Sequence, residues 1–138
     1  DRAGLRPLGI VHGWSQAMEP GHLYSEQPYR GDGLAMAVQQ TVASASSVLP
    51  VGEVYSSMNG ESHWAKEWGV AFIRNRTAFA EDYRTHHPAD CFGDTGAASG
   101  PIMAGLAVLG FADAYRTPPA LVYGSSDRGQ RAAVLITA

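Results

Sequence analysis

The sequence predicts an α/β fold in which strands and helices follow one another in the order β-α-β-α-β-α-β-β. Two observations support this prediction: strand-like and helix-like hydrophobic patterns alternate along the 138 residues, and one predicted helix has no polar side. The hydrophobic content of 45% and the charged content of 17% are typical of a globular domain with its own core. We therefore interpret residues 1–138 as a single domain.

The first half of the chain predicts a strand, a helix and a second strand. Residues 7–17 (PLGIVHGWSQA) have the apolar pattern of a strand, and a loop rich in Pro, Gly and Tyr follows at 19–33. A helix is predicted over 33–47, where Asp32 stands at the position of a side-chain N-cap. The second strand is predicted over 52–58. The apolar stripe of the helix consists of Leu34, Val38, Val42 and Ala45.

The second half predicts two further helices and a closing hairpin. A helix over 62–77 follows the turn 59–62, and aromatic side chains at positions i, i+4 and i+8 indicate that one side of it packs in the core. The polar segment 78–90 is predicted to be a connection that contains a weak strand. Residues 119–126 and 131–138 predict an antiparallel hairpin. The aromatic residues of the helix are Trp64, Trp68 and Phe72.

The third helix, predicted over residues 96–110, has no polar side. A helix that is apolar all round is covered on every side, and a sheet with helical layers made from so short a chain would leave one side open. We therefore expect a partner chain or a further half of the same protein to cover it. Four small residues allow this close approach: Gly100, Ala104, Gly105 and Ala107.

The glycine turn in front of this helix resembles a motif of the thiolase-like condensing enzymes, the β-ketoacyl synthase family. Residues 93–100 read GDTGAASG, and the family carries Gly-Asn-Thr-Ser-Ala-Ala-Ser or Gly-His-Thr-x-Gly-Ala-Ala-Gly before its central helix. The segments 31–42, 54–62 and 121–136 are similar, in this order, to other parts of the family's C-terminal half. The resemblance implies one half of a two-half fold with a buried Gly/Ala-rich central helix, the N-terminal half being absent from this chain.

The resemblance also implies where a site would lie. In the family, a cysteine of the N-terminal half carries the acyl chain, and two His, or a His and an Asn, of the C-terminal half stabilise the developing negative charge. Asn59 and Asp94 stand at these two catalytic positions, and Gly93, Thr95 and Gly96 stand where substrate would bind. An ionised aspartate only accepts hydrogen bonds, so Asp94 would repel an oxyanion unless burial raised its pKa.

Three interpretations of the function remain open. The chain is either a catalytically degenerate pseudoenzyme with a structural or binding role, or part of an active acyltransferase of the 3-oxoacyl-acyl carrier protein synthase type. In the second case it would act in fatty acid or polyketide biosynthesis, with its cysteine nucleophile in the missing half. Neither interpretation needs a cofactor, and acyl-CoA or acyl carrier protein would be the substrate. The third interpretation is an unrelated function on the same fold.

Charge and composition exclude several classes of partner. The net charge is −3 and no basic patch stands out, so we expect no nucleic-acid partner. No apolar run has the length of a membrane span and no signal peptide is visible, so we expect no membrane association and a cytoplasmic protein. The single cysteine, Cys91, excludes an internal disulfide. The expected partners are a second copy of the chain, an N-terminal half, or acyl carrier protein.

Several side chains of types that bind metal ions lie near one another in the sequence, mostly around residue 86, but they form no ordinary metal-binding motif. Adjacent residues seldom converge on one ion and no zinc spacing is present, so we predict no metal site. A nucleophile pair of Cys91 with His63 or His87 would need a proximity that the sequence does not show. We interpret Glu61 and Ser62 as helix-capping residues. The cluster consists of His63, His86, His87, Asp90 and Cys91.

Overall fold

Strands and helices alternate in the predicted order. The computed structural model describes residue 4 and residues 6–138. Within them, one extra short helix precedes the long apolar helix. The strands are β1 (Ile10–Met18), β2 (Val51–Ser56), β3 (Phe79–His86), β4 (Ala120–Ser125) and β5 (Gln130–Thr137), and the helices are α1 (Asp32–Ser44), α2 (Ser62–Arg74), α3 (Ala89–Phe92) and α4 (Ser99–Ala112).

The five strands form one mixed sheet with the order β1-β5-β4-β2-β3. Strand β2 is parallel to β3 and to β4, whereas β5 is antiparallel to β4 and to β1. The predicted hairpin is confirmed, since Ala120 pairs with Ile136 and Ser125 pairs with Arg131. The carboxyl ends of β1, β2, β3 and β4 therefore lie at the same edge of the sheet. In open α/β sheets, ligands bind outside this edge.

Helices α1 and α2 cover one face of the sheet. The apolar stripe predicted for α1 is confirmed, because Leu34 and Val38 are fully buried. The aromatic side of α2 packs in the same core, where the Trp68 ring stacks on Tyr123 with 4.8 Å between the ring centroids. Burial of these large side chains is the main source of stability on this face. We call this side of the sheet the closed face.

The predicted N-cap of α1 is wrong. Gly31 occupies the cap position and no side chain of the cap bonds to the helix. The Asp32 carboxylate instead accepts a hydrogen bond from Arg74 Nη1 at 2.6 Å. A buried carboxylate from the end of β1 takes over the role, since Glu19 Oε2 accepts from the backbone N–H of Gly33 at 2.8 Å. The helix is thus capped by a residue distant in sequence, which local patterns cannot show.

Strand β3 is more regular than the sequence indicates. The segment predicted as a polar connection with a weak strand forms eight residues of edge strand paired with β2. Only Phe79 is fully buried there, and Tyr83 packs partly against the core. Charged side chains are usual on edge strands, where they prevent pairing with other sheets, so the strand carries little hydrophobic signal.

Helix α4 packs on the opposite face of the sheet and begins at Ser99, after a 3-10 turn at Gly96–Ala98. Its buried side, with Met103 and Ala107, contacts Tyr55 and Val122. None of the helices in the described part of the chain has both the length and the hydrophobicity that a membrane crossing requires.

The opposite side of α4 is exposed. The Leu109 side chain is 52% exposed, and a Cβ on Gly100 or Gly105 would meet no heavy atom within 4 Å apart from its chain neighbours and the backbone of α4 itself. On the same side of the sheet, Trp14 and Met18 of β1 are 69% and 58% exposed. We call this side of the sheet, with these five exposed residues, the open face. The expected central helix is therefore half-covered in this chain.

Candidate functional site

An open cleft of about 900 Å³ lies at the carboxyl edge of the sheet. The loop after β2, the start of α2, the segment before α4 and the β4–β5 hairpin form its walls. This is the position at which open α/β sheets bind ligands. Its lining includes Asn59, Trp64, Asp94, Gly96, Ser125 and Arg131.

The structure brings together the two residues that the resemblance assigned to the catalytic positions. Asn59 Nδ2 donates a hydrogen bond to Asp94 Oδ2 at 3.3 Å. The other carboxylate oxygen of Asp94 accepts from the backbone N–H of Gly96 at 2.8 Å. Their proximity follows from the fold, because the end of β2 and the start of α4 meet at the same edge. Their catalytic role stays a prediction.

The residues predicted to bind substrate divide between two places. Gly96 lines the cleft, whereas Gly93 and Thr95 line a separate narrow pocket of about 10 Å³, too small for more than about one water molecule. Gly93 and Gly96 have φ values of 73° and 56°, the left-handed region that favours glycine. Thr95 Oγ1 and Ser99 Oγ share a hydrogen bond of 2.9 Å, which joins the turn to α4. Substrate binding by these residues remains a prediction.

A second carboxylate, which the sequence analysis explained by capping, contacts the same amide. Glu61 Oε2 accepts a hydrogen bond from Asn59 Nδ2 at 3.3 Å, and the Glu61 backbone N–H donates to Asn59 Oδ1 at 3.2 Å. Glu61 does occupy the N-cap position of α2, but its side chain makes no cap bond. The spacing Asn-Gly-Glu directly after a strand could have indicated this local contact, since Asn side chains often bond the backbone two residues on.

The site therefore presents negative charge around one amide. Asp94 and Glu61 are both exposed. Ionised carboxylates are acceptors only. Both approach the nitrogen of Asn59, the group that would have to donate to an oxyanion. The arrangement can bind a donor or a cation more readily than it can stabilise a developing negative charge.

A buried ion pair joins two walls of the cleft. Arg131 Nε donates to Glu67 Oε1 at 2.5 Å, and both side chains are 0% exposed. Ser125 Oγ donates to the other oxygen of Glu67, also at 2.5 Å, and Arg131 Nη1 donates to the Ser126 carbonyl at 2.6 Å. Burial, with the nearby charge of Glu67, raises the pKa of Tyr29 well above its usual range. Sequence reasoning missed this pair because no local pattern joins α2 to β5.

The histidines considered as metal ligands face different partners. His86 Nε2 lies 2.5 Å from Glu53 Oε2, and His87 Nδ1 lies 2.8 Å from Ser56 Oγ. The third, His63, packs its ring against Tyr29. Across residue 4 and residues 6–138, no group of three or more metal-binding side chains converges. The thiol-bearing residue, Cys91, is exposed.

Comparison with solved structures supports the predicted fold. No protein-family model matches the chain, and no curated protein matches it. Among solved structures, it is similar to the oxazolomycin ketosynthase domain KS8 of Streptomyces albus, with a TM-score of 0.81 and 14% identity over 99% of this chain and 46% of that one.

Two further structures agree. One is a structure of a type II polyketide synthase acyl carrier protein in complex with its ketosynthase. It is similar with a TM-score of 0.80 and 16% identity, over 99% of this chain and 40% of the matched chain. The other is the ishigamide ketosynthase/chain length factor, which is similar with a TM-score of 0.69 and 20% identity, over 97% of this chain and 36% of the matched chain. The chain thus spans less than half the length of each structure. The predicted thiolase-like resemblance is confirmed at this level: the chain has a ketosynthase-like α/β fold.

Proposed function

We propose that this domain is one half of a ketosynthase-like unit that does not condense acyl thioesters and instead has a structural or binding role. The observation that carries the proposal is the contact of two carboxylates with one amide. Asp94 and Glu61 both accept hydrogen bonds from Asn59 Nδ2 at 3.3 Å. A condensing site needs donors at this place, so the chemistry of the site opposes the reaction.

The physical reason is the sign of the charge that develops. Decarboxylative condensation puts negative charge on the thioester oxygen, and preorganised donors aimed at that oxygen supply much of the catalysis. Loss of a single donor of this kind typically lowers the rate by about 10²–10³-fold. Here the Asp94 carboxylate would face the charge, and the Asn59 amide is already engaged.

A second half would complete the unit by covering the open face. The exposed side of α4 presents Leu109 and the bare backbone of Gly100 and Gly105. Contiguous apolar surface of this kind marks interaction sites. The similar ketosynthase structures are more than twice as long as the part this chain covers, which supports a second half as the partner, in the same protein or in another chain. Self-association is the alternative way to cover the same surface.

Acyl carrier protein is the proposed ligand of the cleft in the binding role. One of the similar structures is a ketosynthase in complex with its acyl carrier protein. The cleft of about 900 Å³ has a volume typical of a small-molecule site, and Trp64 and Ser125 give it both apolar and polar lining.

The test is a turnover assay on the complete natural gene product. We expect no decarboxylation of a malonyl thioester above the uncatalysed rate, either in the wild type or in Asp94→Asn. Asp90→Asn serves as the matched control, because it removes the same charge from an exposed residue of α3. Turnover at about 1–10³ s⁻¹ that Asp94→Asn raises and Asp90→Asn leaves unchanged would overturn the proposal in favour of an active acyltransferase.

A further inference from the structure

The Asn59 amide is the end of a chain of contacts that begins in the buried core. The Arg131 guanidinium, paired with Glu67, lies over the Trp64 ring at 5.6 Å from its centroid. The Trp64 indole N–H donates to Glu61 Oε2 at 2.8 Å. The same oxygen of Glu61 accepts from Asn59 Nδ2 at 3.3 Å. Each contact fixes the position of the next group, from the rigid interior to the cleft.

The two ends of this chain differ in exposure. Arg131 is 1% exposed and Trp64 is 6% exposed, so neither can change position without repacking. Glu61 is on the surface, where a glutamate side chain ordinarily samples several rotamers. A hydrogen bond from a buried indole therefore holds an otherwise mobile carboxylate at one place beside the amide.

Glu61 also determines which end of the amide faces which neighbour. Its backbone N–H donates to Asn59 Oδ1 and its carboxylate accepts from Asn59 Nδ2. Only one orientation of the amide satisfies both contacts, because the oxygen cannot donate and the nitrogen cannot accept. The third contact, from Nδ2 to Asp94, then follows.

We propose that Glu61 and Trp64 are positioning residues that fix the orientation of the Asn59 amide, with the buried Glu67–Arg131 pair holding Trp64 in place. The inference rests on the proposed function only in taking Asn59 as part of the site. It differs from a capping role for Glu61, because a cap would act on the α2 backbone and not on a side chain in the cleft. It also assigns a role to the buried ion pair, because such pairs contribute little to stability and are retained in some proteins for conformational specificity.

The experiment follows the side-chain amide of Asn59 by ¹⁵N nuclear magnetic resonance in the complete natural gene product. Trp64→Phe removes the indole N–H and keeps most of the ring. Glu61→Ala removes the carboxylate and keeps the backbone N–H. Glu26→Ala, at an exposed residue of the loop between β1 and α1, is the matched control. The amide of Asn59 is assigned from the resonances lost in Asn59→Ser.

We expect both Asn59 amide protons to shift and to exchange faster with solvent in Glu61→Ala, and to shift in the same direction in Trp64→Phe. The second effect is the informative one, because the Trp64 indole N–H and the Asn59 amide both donate to the same oxygen of Glu61. The control should leave the resonances unchanged. Glu61 is exposed, so its replacement leaves the fold intact and the test valid even if Trp64→Phe unfolds the domain.

Asn59 resonances that coincide with the wild type in folded Glu61→Ala would overturn the inference, as would unchanged resonances in folded Trp64→Phe. The readout requires no substrate. Turnover in the malonyl thioester assay would therefore contradict the proposed function and leave this inference standing, whereas unchanged resonances would contradict this inference alone.

Discussion

The two faces of the sheet differ in how completely this chain covers them. On the closed face, two helices bury a continuous core in which Leu34, Val38 and Leu121 are 0% exposed. On the open face, a single helix covers part of the sheet and leaves Trp14 and Leu109 exposed. The closed face is fully covered by helices of this chain. The open face carries apolar side chains typical of a core, but they remain exposed.

The difference separates what stabilises the domain from what joins it to another. Free energy of folding comes mainly from the closed face, because apolar area removed from water is concentrated there. The open face keeps its apolar area available for association, and its glycines allow a partner to approach the backbone of α4. Substitutions on the two faces should therefore affect different measurements.

The largest expected effect lies on the closed face. Leu121→Ala removes a fully buried side chain from the central strand β4 and leaves a cavity. We expect the free energy of unfolding to fall by about 2–5 kcal/mol, measured by urea denaturation. A loss below about 1 kcal/mol would show that the site collapses freely and that this core is not close-packed.

The open face should respond in association and not in stability. Trp14→Ser should change the free energy of unfolding of the chain alone by no more than about 0.5 kcal/mol, since Trp14 is 69% exposed. Affinity for the covering half, or for a second copy, should fall at least about tenfold, or about 1.4 kcal/mol. Sedimentation over a range of concentrations measures it.

The matched control is Ile73→Ser on α2. Ile73 is 75% exposed, but it lies on the outer surface of the helices that cover the closed face. It should alter neither stability nor association. Equal weakening of association by the two substitutions would contradict the assignment of the open face as the interface.

The smallest expected effect concerns a buried hydroxyl on the closed face. Burial raises the pKa of Tyr123, whereas the unfolded chain ionises its tyrosines near pH 10. Above about pH 10 the unfolded state therefore binds fewer protons than the native state, so the stability that this group contributes is present in full at lower pH and is lost as the pH rises.

Between pH 10 and pH 11, the free energy of unfolding should fall less in Tyr123→Phe than in the wild type, by up to about 1.4 kcal/mol. At neutral pH the change should stay within about 1 kcal/mol, because the Tyr123 hydroxyl lies near Ser56 but makes no hydrogen bond of ordinary geometry within the described residues. Urea denaturation at several pH values checks both. An unchanged slope above pH 10 would show that Tyr123 is not the titrating group.

The sequence predicts those parts of the fold that have a local hydrophobic period. The apolar stripe of α1, the aromatic side of α2 and the β4–β5 hairpin follow directly from such patterns. Edge strand β3 escapes because its polar residues carry no period. The residue that caps α1 is not predicted, because Glu19 lies 14 residues from Gly33, from whose backbone N–H it accepts a hydrogen bond. Tertiary contacts decide both features.

The candidate site divides in the same way. Asn59 and Asp94 could be named from the resemblance of their two turns, and the sheet topology then brings them together. Glu61 could not be distinguished from a capping residue, because the direction of its side chain depends on the buried Trp64. The Glu67–Arg131 pair joins elements 64 residues apart, so no local pattern indicates it.

The intact mass and sedimentation of the complete natural gene product, expressed from the whole gene, test the central claim most directly. If the open face is covered by a second half, the product is either at least twice as long as this chain, like the similar ketosynthases, or a stable complex. In each case the side chains of Trp14 and Leu109 should be protected from covalent labelling. A monodisperse monomer of these 138 residues, with both side chains accessible, would contradict the account.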